Sequence, residues 1–84
     1  MTPNLKLKIK ELYKNLLNKN FPFDTICWAL AELQLIFEKG RKKYSEKEVI
    51  ERTKKIFNSG IDYDTICWFI AQFKVYLEEI HLYP

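Results

Sequence analysis

The side chains that could do chemistry together stand in one short stretch, and the chain writes it twice. Asp24-Thr25-Ile26-Cys27-Trp28 returns letter for letter as Asp64-Thr65-Ile66-Cys67-Trp68, forty residues later. As a duplicated site it offers two carboxylates for a metal or two thiols for redox chemistry. Neither chemistry is completed by its neighbours. A metal site needs more ligands, and carboxylates not engaged elsewhere. His81, the one histidine, has no partner close to it in sequence. Cys27 and Cys67 each fall in the first turn of an expected helix, where free amides can depress a thiol pKa. No general base stands beside either, and a buried thiol commonly serves as a small apolar filler. Every residue of the motif has a structural task instead. Asp caps a helix, Ile enters the core, Cys fills space, and Trp closes a hydrophobic staple with the aromatic residue before Asp. The expectation is a chain without catalytic residues, metal or cofactor, and not an enzyme.

A second cluster with chemical potential is Lys39, Arg41, Lys42 and Lys43, a run of cations that could contact phosphates. As a helix-turn-helix, the helix after this run would read the groove. Glu46, Glu48 and Glu51 stand at the end that would enter it, which opposes that docking. The cations equally suit the C-terminal end of the helix before them, as a solvated loop.

The elements that position these residues follow from periodicity. Thr2 as N-cap and Pro3 open a first helix near 3–19, with Leu5, Ile9, Leu12 and Leu16 as its apolar stripe. Asn20 takes a left-handed stop, Phe21 reaches back toward Leu16, and Pro22 prevents continuation. A second helix is expected near 24–39, capped by Asp24 and ended by Gly40. Ser45 and Glu48 form a capping box for a third helix near 46–59, where Arg52 replaces Leu12. Gly60 then stands where Asn20 stood, and a fourth helix near 65–81 begins at Asp64. Residues 5–44 align with 45–84 without a gap, which marks a tandem repeat. The expected fold is all-α over one domain, 1–84: a four-helix bundle built from two αα-hairpin repeats with approximate two-fold symmetry.

Composition narrows the function classes. Of 84 residues, 48% are hydrophobic and 30% charged, the balance of a folded soluble domain rather than a disordered one. A net charge of +3 is modest for a dedicated nucleic-acid binder. Met1 to Lys10 alternates Leu and Lys and lacks the apolar core of a signal peptide, and no uncharged run is long enough to span a bilayer. Two cysteines do not make a disulfide framework. The expectation is a cytoplasmic protein.

The second and fourth helices carry more apolar surface than one face needs. Ile26, Leu30, Leu33 and Phe37 form one broad face, repeated by Ile66, Ile70, Phe73 and Leu77. A narrower stripe lies opposite: Trp28, Ala31 and Leu35, then Trp68, Ala71, Val75 and Leu82. Such a stripe serves either as core between neighbouring helices or as an interface. Taken as interface, it predicts a partner-binding surface and a homodimer or hetero-complex. The function expected is a small protein–protein interaction module: an adaptor, regulator or inhibitor of the kind found among viral or plasmid accessory proteins. The alternative is nucleic-acid binding through the 39–43 loop and the lysines of the first helix.

Overall fold

The computed structural model describes residues 3–79, and every regular element in that range is an α-helix. They are α1 (Pro3–Lys19), α2 (Phe23–Lys39), α3 (Glu46–Phe57) and α4 (Tyr63–Glu79). Thr2, His81 and Leu82 lie outside the described residues. The expected breaks are in place. Asn20 adopts φ 52°, and its N–H is shared between the carbonyls of Leu16 and Leu17, the simple left-handed ending rather than the full two-bond motif. Gly60, forty positions on, has φ 85°. Gly40, at φ 95°, closes α2 by donating to the Ile36 carbonyl at 2.8 Å.

The starts of α2 and α4 differ from expectation by a residue or two, and the caps move with them. α2 begins at Phe23, behind Pro22, which has no side chain to offer the free amides. α4 begins at Tyr63, and Asp62 accepts the Thr65 N–H at 3.1 Å. Asp62 is therefore the capping residue. Asp24 and Asp64 sit inside the first turn, where they complement the helix dipole, and Asp24 Oδ1 accepts the first-turn N–H of Thr25 at 2.9 Å as expected of it. The expected staples are displaced as well. Phe23 lies edge-on to Phe57, with ring centroids 5.2 Å apart. Tyr63 donates its hydroxyl to the Phe21 carbonyl at 2.7 Å. Both central helices thus start from one end of the molecule, where their junctions are tied together. The capping box of α3 is present: the Glu48 N–H donates to Ser45 Oγ at 3.2 Å, and the Ser45 N–H to Glu48 Oε1 at 3.3 Å.

Helix packing is not what chain order suggests. α2 and α4 lie against each other at the centre, α3 covers α2, and α1 covers α4. Among the described residues α1 does not lie along α2, nor α3 along α4. The first helix of each half of the chain therefore covers the second helix of the other half. Three residues join α1 to α2, and left-handed Asn20 with extended Pro22 (ψ 150°) sends the chain sharply away. The longer 40–45 connection lets α3 fold back along α2. The core follows this order. Ile26, Leu30, Ile66, Ile70 and Leu77 fill the centre, and Ile9 packs with Ala71 and Val75 between α1 and α4. α3 is also held by polar links. Arg52 makes a two-pronged pair with Glu38 (2.8 and 2.9 Å), reaches Gln34 at 3.1 Å, and Lys39 pairs with Glu48. No helix among the described residues is long and apolar enough to cross a membrane.

The caps set the acid response. Hydrogen bonds from Thr65 hold the Asp62 carboxyl below its usual range, Arg52 does the same to Glu38, and Lys39 to Glu48. Depressed carboxyls stabilise the fold above their unfolded pKa, about 4, and lose that contribution as pH falls through the folded value. Thermal melts should therefore be flat from neutral pH to about pH 5 and decline below about pH 4. Asp62→Ala should lower the melting temperature more than Asp64→Ala and flatten part of that decline.

Candidate functional site

The repeated motif is built into the interior. Ile26 and Ile66 are buried, and Cys27 and Cys67 are fully so. Burial pushes both thiols above their ordinary pKa, and Asp24 and Asp64 nearby add to the rise. Because α2 and α4 begin before the aspartates, each cysteine lies beyond the free amides of the first turn. A protonated, buried thiol is neither a nucleophile nor a ready ligand. Among the described residues no three His, Cys, Asp or Glu side chains gather as a metal would require.

The two tryptophans are half-buried and differ in their surroundings. Trp28 donates Nε1–H to Glu32 Oε1 at 2.6 Å. Trp68 meets Tyr13 edge-on, with centroids 5.2 Å apart and planes at 83°. The rest of the stripe expected to bind a partner is interior, and that expectation is corrected here. Ala31, Leu35, Ala71 and Val75 are each 4% exposed or less. α1 covers Ala71 and Val75 with Ile9 and Leu5, and Ala31 and Leu35 belong to the main core with Val49 and Ile56 of α3. Leu82 lies outside the described residues. The stripe is the seat of the outer helices.

In the 39–43 loop, Lys39 is engaged by Glu48. Lys42 has φ 62°, and Gly40 N–H is spent on closing α2. Arg41, Lys42 and Lys43 are exposed. The loop is a turn between two packed helices.

What the structure opens instead is a groove. Because α1 does not lie along α2, one side of α2 is left uncovered between the end of α1 and the middle of α4. The depression holds about 270 Å³. Leu16, Ala29, Leu33, Ile36 and Ile70 give it an apolar lining, with Glu32 and Lys74 also present. Phe37, 52% exposed, stacks edge-on against Phe73 at 5.6 Å, one helical step from Leu33 and Ile36. These residues were legible as apolar. Their availability was not, because it depends on which helix α1 covers. Compared with protein-family models, curated proteins and solved structures, the chain finds no match.

Two outcomes follow from the buried positions. Leu35→Ala should cost about 2–5 kcal/mol in urea unfolding, the range for a filled core site. Maleimide should label Cys27 and Cys67 slowly in the folded chain and rapidly once urea unfolds it.

Proposed function

We propose that the chain is a small non-enzymatic protein–protein interaction module, an adaptor, regulator or inhibitor, and that it engages its partner through the groove between α1, α2 and α4. The observation that carries this reading is the open side of α2. A groove of about 270 Å³ is lined mainly by apolar side chains, and the exposed Phe37, edge-on to a half-buried Phe73, adds apolar surface on α2 one turn from Leu33 of its lining. Such a groove suits an amphipathic helix presenting apolar residues at i, i+3 or i+4, and i+7. Glu32 and Lys74 supply charges of opposite sign for orientation. A second copy of the chain is one occupant of this kind. Approximate two-fold repetition, which the duplicated pentapeptide and the meeting of the two junctions support, also favours self-association. A cytoplasmic setting and an accessory role in a virus or plasmid belong to the same proposal and rest on composition and compactness.

Light scattering of the wild type and of Phe37→Glu tests it. Phe37 is exposed, so the variant should melt within a few degrees of the wild type. The proposal expects self-association, or retention of a captured protein, that Phe37→Glu abolishes. A monomeric wild type whose captured proteins are unchanged in Phe37→Glu would overturn it.

A further inference from the structure

Where α1 covers α4, Lys6, Ile9 and Lys10 of α1 face Trp68 and Gln72 of α4 around a depression of about 290 Å³. We propose that this corner binds a base-plus-phosphate unit of single-stranded nucleic acid, with a base against the Trp68 indole and phosphates at Lys6 and Lys10. This goes beyond the groove reading and uses a different surface.

Three observations carry it. The first is where the charge sits. α1 holds five lysines and one glutamate, while the rest of the chain holds nine basic and ten acidic residues. The net +3 of the molecule is therefore a property of α1. Lys6 and Lys10 lie one turn apart on it, both are exposed, and neither is in an ion pair among the described residues. The second is chemical content. An indole beside two ammonium groups and a side-chain amide combines stacking surface, phosphate contacts and a group able to bond a base edge. That is the pattern of single-strand binding without strong sequence preference. The depression on the other side of Trp68, with Tyr13, contains Asp64 and would repel phosphate.

The third is a comparison inside the chain. The residues forty positions away from this corner are Glu46, Val49, Ile50, Trp28 and Glu32, where α3 covers α2. There Lys6 is replaced by Glu46, Lys10 by Ile50, and Gln72 by Glu32, which holds the indole N–H of Trp28. The indole and the aliphatic residue beneath it are kept. Every charge difference makes the Trp68 corner more positive. The Trp28 corner is a built-in control, with the same aromatic residue in an acidic setting.

The test uses the full chain at low salt. Trp28→Phe leaves Trp68 as the sole indole reporter, and Trp68→Phe leaves Trp28. An oligothymidylate of about ten nucleotides, within the site sizes of single-strand binders, is the probe. Trp68 fluorescence should be quenched on titration and Trp28 fluorescence should not. Anisotropy of the labelled oligomer with otherwise wild-type protein gives the affinity without any Trp change. There Lys6→Gln with Lys10→Gln should weaken binding at least about tenfold and reduce the salt slope by about 1.4 for two phosphates. Thymidine monophosphate that binds as tightly as the oligomer would keep the corner and make the ligand a free nucleotide. Quenching of both tryptophans alike, an unchanged affinity in the Lys6, Lys10 variant, or equal binding of base-free polyphosphate would overturn the proposal.

Discussion

The structure depends on one constraint: α2 and α4 are apolar on two sides, and both sides need cover. One side of each is satisfied by the other. Ile26, Leu30, Ile66 and Ile70 form the centre of the main core, and the fully buried Cys27 and Cys67 fit there because a thiol is small and apolar. The second side of each, with Ala31 and Leu35 or Ala71 and Val75, must then be covered by an outer helix. Small alanines let that helix approach closely, and the flanking tryptophans frame its seat. The pentapeptide stands at both places, and at each its isoleucine and cysteine pack into the interior.

Given that constraint, each central helix takes one outer helix. α3 follows α2 by a loop long enough to fold back, and it takes the second side of α2. α1, joined to α2 by three residues, lies across α4 instead. The cost of this exchange is an uncovered side of α2, and the groove is its direct result. Exposure of Phe37 belongs to the same geometry. Leu77, forty residues on, is fully buried, whereas Phe37 is half in water.

Much of the local structure was legible because it is encoded locally. The capping box at Ser45 and Glu48, the left-handed stop at Asn20, and the periodicity of all four helices each need only a few adjacent residues, whereas α3 ends at Phe57 with right-handed Asn58 behind it, ahead of the left-handed Gly60. The helix starts were legible to within a turn. Asp24 and Asp64 suggest the cap because each opens a copy of the same pentapeptide. The residue that caps, Asp62, has no capping counterpart, since Pro22 stands in its place. What could not be read was the covering of the stripe. Periodicity tells which residues turn inward, but it does not say which distant helix they meet. Trp28, Leu35, Trp68 and Val75 have the same pattern whether an outer helix or a second chain lies on them.

The two halves differ in how their outer helices are held, and this difference separates the surfaces of the molecule. α3 is anchored by polar contacts: Arg52 to Glu38 and Gln34, and Lys39 to Glu48. α1 has Leu12 forty positions before Arg52, and it is anchored by Leu5, Ile9, Leu12 and Tyr13 instead. An outer helix held by polar pairs spends its charged groups on its own attachment. One held by apolar contacts keeps them facing solvent, and here those groups are lysines. The charge asymmetry of the surface lies at other aligned positions, where Lys6, Lys8 and Lys10 of α1 stand opposite Glu46, Glu48 and Ile50 of α3. The side of the molecule bearing α1 can attract anions while the side bearing α3 stays nearly neutral, although both sit on the same motif.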